Sequence, residues 1–186
     1  MANEKKVVEE EEDTPKLFVW SIRSISYIIG WVLIFSLTCA ELGLVSQQIH
    51  KFGRETSHYA SLMWKNDLGL LLAAVIVSLL VTIFHYQLGL GAIIFFSLVL
   101  SVFFATGAGI IRGATPFRGT SCGNAVDLYP VIWQPFVGEC RRIVSIQAIA
   151  WTLWALYMFM LFGSLAYKFG LRVKPTPGGF YGPSAV

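Results

Sequence analysis

The stretch that decides the fold is LGLGAIIFFSLVLSVFFATGAGII, residues 88–111, which contains no charged side chain. A helix needs about 20 consecutive apolar residues to cross the hydrocarbon core of a bilayer, so this run predicts a membrane-spanning helix. Small residues recur every four positions along it and just beyond it: Ser97, Ser101, Ala105, Gly109 and Gly113. Small side chains let membrane helices approach closely. Because a helix has 3.6 residues per turn, a row spaced by four drifts around the axis, and only about three of its members can face one partner. The row predicts close packing, either within one bundle or in a homo-oligomer or partner-protein contact.

Three further runs, at about residues 24–45, 68–86 and 143–167, are also long enough to be spans. Polar or charged residues bound them, and Asn66 and Asp67 are interpreted as the cap of the second. Charged residues make up 13% of the chain and mean hydropathy is +0.64, whereas about a quarter of a soluble domain is charged. The expected fold is an all-α membrane protein, a four-transmembrane-helix antiparallel bundle.

The expected domain organisation is a membrane domain over residues 17–170 between two disordered tails, 1–16 and 171–186. Six of the eleven acidic residues lie within the first thirteen positions, and proline and glycine dominate the last twelve. Neither composition can build a packed core. An acidic opening is also unlike a signal peptide, so we expect the first span to be retained.

The loops carry the information on orientation. Four spans place the first and third loops on one face and both termini on the other, and lysine and arginine are balanced between the two faces, so charge does not choose the cytosolic side. Cys122 and Cys140 lie in the third loop. Their spacing leaves two alternatives open, a disulfide or two free thiols. A disulfide would place this loop outside the cytosol and the termini inside it.

The same loop carries a family resemblance. Ser121-Cys122-x-Asn124, followed by Cys140-Arg141-Arg142 and a span that opens Ser145-Ile-Gln147-Ala148-Ile-Ala150, resembles the last loop and final helix of fungal four-span MARVEL-domain proteins, above all the group associated with eisosomes, plasma-membrane compartments and non-classical export. The resemblance implies a MARVEL-like bundle in the plasma membrane, cytosolic termini and paired loop cysteines. The chain departs from that group in having no acidic residue near the start of the third span.

Glu41 is the one acidic residue expected inside a span. Ionisable residues at membrane depth are costly and are candidates for function. Ser46, Gln47 and Gln48 follow closely, so we expect Glu41 near the loop-side interface, within reach of water or of an arginine such as Arg112. Structural pairing, contact with a partner or lipid headgroup, and transport remain open as its role.

Arginines and aromatic residues suggest lipid contacts. The candidate headgroup contacts are four arginines expected on the loop face: Arg112, Arg118, Arg141 and Arg142. They could instead pair with Asp127 and Glu139. Trp151, Trp154 and Tyr157 form a row three residues apart that packs against lipid or a neighbouring helix, or that lines a sterol or sphingolipid groove.

No enzymatic chemistry is indicated. His50 and His58 are expected in or near the first loop and His85 on the opposite face, so they do not form a metal site, and we expect no metal, no cofactor and no catalytic residue. No basic stripe interleaves with polar aromatic residues, so we expect no nucleic-acid partner. The predicted function is a non-enzymatic protein that organises membrane microdomains, or serves as a membrane-protein or lipid scaffold or trafficking adaptor. Its expected partners are membrane lipids, other membrane proteins or copies of itself. A small channel or transporter, or an accessory subunit of a larger complex, is the alternative.

Overall fold

The computed structural model describes residues 22–53 and 55–169, and within these ranges it is helical, with no strand. The long helices are α1 (Ile22–Phe52), α2 (Leu62–Phe84), α3 (Leu90–Ala114) and α4 (Cys140–Lys168). All four are long and apolar enough to cross a membrane. The expectation of an all-α integral membrane protein with four spans is therefore confirmed. The two tails predicted to be disordered, residues 1–16 and 171–186, lie outside the described residues.

The helices form an antiparallel bundle in which α1 contacts α2 and α4, and α3 contacts the same two neighbours. Trp31 of α1 stacks on His85, just after α2, and Thr38 meets Ser78 of α2. Residue numbers thus rise along α1 as they fall along α2. One hydrophobic core runs through all four helices, while large apolar side chains cover their outward faces.

The first loop is much shorter than expected, because both flanking helices extend into it. α1 continues to Phe52 and ends at Gly53, which has φ +72° and whose N–H donates to the Ile49 carbonyl over 2.9 Å. A positive φ at this position is a common helix stop and favours glycine. α2 begins at Leu62, where the Ser61 hydroxyl accepts a hydrogen bond from the Trp64 N–H.

The interpretation of Asp67 as a cap was therefore wrong. Ser61 is the N-cap of α2, and Asp67 lies inside the helix, where it is buried. The apolar residues Leu62 to Trp64, which precede the polar residues Lys65 to Asp67, add the missing turns of helix.

The third loop is ordered by short 3₁₀ helices, Val126–Leu128 and Val131–Glu139, and it leads directly into α4. Another short 3₁₀ helix, Thr56–His58, lies in the first loop. Both loops lie at the same end of the bundle and form the cap described next.

Candidate functional site

Cys122 and Cys140 are joined by a disulfide, with their Cα atoms 5.5 Å apart. The bond ties the middle of the third loop to the first residue of α4. Arg118 supports the same turn, because its backbone N–H donates to the Ser121 hydroxyl over 2.9 Å. The structure thus places the two loop cysteines as the resemblance implies.

Aromatic side chains join the two loops over the end of the bundle. Each ring of this aromatic cap lies with its centroid 5.1 to 5.9 Å from the next. The members, in order of contact, are Tyr59, Phe52, Phe136, Trp133, Phe117 and Tyr129. Phe117 is completely buried. The loops therefore form one packed layer rather than two independent connections.

Glu139 is the charged centre beneath this cap. Its carboxylate forms ion pairs with Lys51 of α1 and Arg142 of α4, and it accepts a hydrogen bond from the Gln48 Nε2 over 3.0 Å. Glu139 is buried, whereas Lys51 is about half exposed. This cluster connects α1 to the start of α4. The sequence suggested Glu139 only as an alternative partner for an arginine, and the pair with Arg142 is the one that forms.

The four arginines do not act as one set. Arg118 donates to the carbonyls of Arg112, Thr115 and Phe117 and so satisfies the end of α3 and the following turn. Arg142 is engaged by Glu139. The side chains of Arg112 and Arg141 are exposed. Of the candidate headgroup contacts, these last two have the accessible positions.

The row of small residues on α3 winds from the core to the outside. Ser97 and Ser101 are buried and Ala105 is partly buried, whereas Gly109 and Gly113 are exposed and a Cβ added at either would meet nothing within 4 Å. Among the glycines of α3, the closest approach is instead at Gly107, where an added Cβ would lie 2.5 Å from Leu71 Cδ2 of α2. Gly107 does not belong to the four-residue row, because a helix returns to one face at alternating steps of three and four.

Glu41 lies inside the bundle, away from water, and no arginine of the described part of the chain pairs with it. It is completely buried, and neither carboxylate oxygen has a hydrogen-bond partner among the described residues. It lies eleven positions before Phe52, the end of α1, which is about 16 Å along a helix axis. The buried residues of α1 recur at alternating steps of three and four, and this seam contains Ile34, Thr38, Glu41, Val45 and Gln48. That spacing is the signal that places Glu41 inside the bundle.

Asp67 is the functional candidate that sequence reasoning missed. It lies on α2 close enough to Glu41 for the two carboxyls to interact electrostatically. Like Glu41, it is buried, and both of its oxygens lack a hydrogen-bond partner in the described part of the chain. The Asp67 Oδ1 atom would lie 3.4 Å from a Cβ added at Gly107. The two acidic side chains therefore occupy an interior region between α1, α2 and α3.

Hydroxyl groups continue the polar interior toward the other end of the bundle. The Ser78 hydroxyl lies 2.9 Å from that of Thr38 and 2.6 Å from that of Tyr157, so α1, α2 and α4 are joined by hydrogen bonds. The Tyr157 ring also stacks on Phe104 of α3. Tyr157 is thus a core residue, and the row expected with Trp151 and Trp154 does not share one face: Trp151 is exposed and Trp154 is partly buried.

No three histidine, cysteine, aspartate or glutamate side chains come together to hold a metal ion within residues 22–53 and 55–169. Cys39, the remaining cysteine, is a free thiol on an exposed position of α1. The chemistry available to the described interior is therefore that of the ion-paired Glu139, the two unpartnered carboxyls and several hydroxyl and amide groups.

Comparison with known proteins identified no relative: no family model, no curated protein and no solved structure matches this chain.

Proposed function

We propose that this chain is a non-enzymatic, MARVEL-like membrane protein that organises lipids or other membrane proteins in the plane of the bilayer. The observation that carries this proposal is the division of every span into two faces. The inward faces share one core, while the outward faces present large apolar side chains such as Ile29, Val32, Ile83, Phe95 and Phe159. Such outward faces suit contact with lipid tails or with other membrane helices.

The outer face of α3 offers the most specific surface for such association. Gly109 and Gly113 lie four residues apart with open space at each Cβ position. Two helices that present small residues at this spacing can pack with their backbones close together. Self-association through these glycines is the form of the proposal that can be tested most directly.

The orientation belongs to the same proposal. The disulfide lies at the end of the bundle that carries both connecting loops, and disulfides persist outside the cytosol. This supports cytosolic termini and, with the resemblance to fungal MARVEL-domain proteins, a plasma-membrane location. Epitope tags at either terminus should become accessible to antibody only after the cells are permeabilised; labelling of intact cells would contradict this orientation.

Self-association is tested with full-length chains that carry donor or acceptor fluorophores and are reconstituted into lipid vesicles. We expect energy transfer that exceeds random proximity and that falls when Gly109 and Gly113 are both replaced by leucine. Gly163→Leu on α4 is the matched control, because it also adds a leucine at an exposed position with nothing within 4 Å. If wild-type transfer merely follows dilution by lipid, self-association is wrong.

A second candidate function, a small channel or transporter, is favoured by the buried polar residues in the bundle. Ion and solute flux in the same vesicles distinguishes it from the organising role. Flux that Glu41→Gln abolishes would support transport. An accessory role in a larger complex would instead show as a stable partner after purification in gentle detergent.

A further inference from the structure

The loop-side half of the bundle interior contains polar atoms that have no hydrogen-bond partner among the described residues, and most of them are acceptors. The indole N–H of Trp31 and the hydroxyl of Ser164 are also unpartnered there, but they lie toward the opposite ends of α1 and α4. The loop-side group consists of both carboxyl oxygens of Glu41, both of Asp67, the Oε1 of Gln48 and the indole N–H of Trp64. Each of these four side chains is at most 1% exposed. Buried polar groups are costly unless they are paired, so five unfilled acceptors beside one unfilled donor indicate that donors are missing.

The arrangement of helices brings these groups to one region. Gln48 follows Glu41 by two turns of α1, and Trp64 precedes Asp67 by nearly one turn of α2, so each pair shares a helix face. Glu41 and Asp67 interact electrostatically across the two helices. The unfilled Gln48 oxygen and Trp64 indole are a second observation, independent of the two acids.

No positively charged side chain among the described residues forms an ion pair with Glu41 or Asp67. Among residues 22–53 and 55–169, three ion pairs form, and neither Glu41 nor Asp67 takes part in any of them. Other charged and titratable groups of the packed helices and their ends are engaged or exposed elsewhere. They include Lys51 and Arg142 on Glu139, Lys65 over the Tyr59 ring, His85 at the Thr82 carbonyl, Tyr157 at Ser78, and His50, Arg112, Arg141 and Lys168 at exposed positions.

We propose that Glu41 and Asp67 form a proton-binding site in the interior of the bundle, in which the carboxyls are held as neutral acids. A protonated carboxyl supplies a donor that the region lacks, since its O–H donates whereas a carboxylate only accepts. It also removes the repulsion and the desolvation cost of two buried negative charges. The site does not depend on the organising role proposed above.

The hydrogen-bonded hydroxyl groups lie next to this site on one side. Thr38 lies three residues before Glu41 on the same seam and is hydrogen-bonded through Ser78 to Tyr157. On the other side, Gln48 also donates to Glu139 beneath the aromatic cap. Polar groups thus approach the two acids from both ends of the bundle.

Infrared difference spectroscopy on the full-length chain in lipid vesicles tests the proposal. We expect the carbonyl stretch of a protonated carboxyl at neutral pH, a shift of this band in D₂O, and its loss in the Glu41→Gln, Asp67→Asn double variant. Both substitutions keep the side-chain shape and remove the need to bury a charge. Glu55→Gln is the matched control, because Glu55 is an exposed acid in the first loop, and this variant should leave the band unchanged.

Labelling with dicyclohexylcarbodiimide gives an independent measurement on the wild-type chain. This apolar reagent adds across the O–H of a protonated carboxyl, and the adduct rearranges to an N-acylurea without a leaving group. Mass spectrometry should find Glu41 or Asp67 modified, Glu55 unmodified, and less modification as pH rises.

Two outcomes would overturn the proposal. One is a spectrum with only carboxylate bands from a protein that retains its helical circular dichroism, together with no labelling of either acid. The other is protection from labelling by sodium, potassium or calcium at constant pH, which would identify the site as one for a metal cation.

Discussion

Replacing Gly107 by alanine tests how closely α2 and α3 approach. The added Cβ would lie 2.5 Å from Leu71 Cδ2 and 2.9 Å from Leu71 Cγ, and Leu71 is completely buried. Inserting a methyl group into a filled core costs about 1–3 kcal/mol. Alanine also gains about 0.5–1 kcal/mol over glycine in a helix interior, so the net change alone would be hard to interpret.

Gly69→Ala provides the matched control for that gain. Gly69 lies inside α2 at an exposed position, and a Cβ there meets nothing within 4 Å. Because both variants share the helix-propensity term, Gly107→Ala should be about 1–3 kcal/mol less stable than Gly69→Ala. This difference corresponds to about 5-fold to 150-fold in the equilibrium constant for unfolding.

The assay is reversible unfolding in mixed micelles with increasing dodecyl sulfate, followed by tryptophan fluorescence and circular dichroism. Full-length wild type and the two glycine variants should be compared at one detergent concentration series. If the two variants unfold at the same point, Leu71 can yield without cost, and the close approach of α2 and α3 does not contribute to stability.

Two further predictions concern contacts between elements. Serine in place of both Cys122 and Cys140 should lower the free energy of unfolding by about 3 kcal/mol, the loop-closure value for a loop of about this length, because their sequence separation is 18. In the same unfolding assay, the control Cys39→Ser, at an exposed free thiol, should leave the free energy of unfolding unchanged. Equal stability of the two variants would show that the disulfide does not constrain the unfolded chain. Tyr157→Phe removes the hydroxyl that lies 2.6 Å from that of Ser78 and should lower the free energy of unfolding by about 0.6–1.7 kcal/mol. A double-mutant cycle with Ser78→Ala measures the coupling between the two hydroxyls, and a coupling energy of zero would contradict the hydrogen bond.

The number of spans could be predicted from sequence because it depends on length and composition alone. Residues 88–111 contain no charge, and a run of that length suits a bilayer whatever its neighbours do. The positions of the two loop cysteines, which the resemblance paired, also agree with the structure. The ends of the helices were harder to predict, because the helix stop at Gly53 and the cap at Ser61 lie in a polar region that reads as loop.

What the sequence by itself determined is therefore an all-helical protein with four membrane spans. Only the tertiary structure decided which side of each span faces inward, and the physical reason is that lipid tails are as apolar as a protein core. In a soluble helix, hydrophobic periodicity marks the buried face; here Gly107 and Gly109 lie in equally apolar surroundings, yet one meets Leu71 and the other meets nothing within 4 Å. For the same reason, the packing of α1 against α2 was needed to bring Glu41 and Asp67 into one interior region.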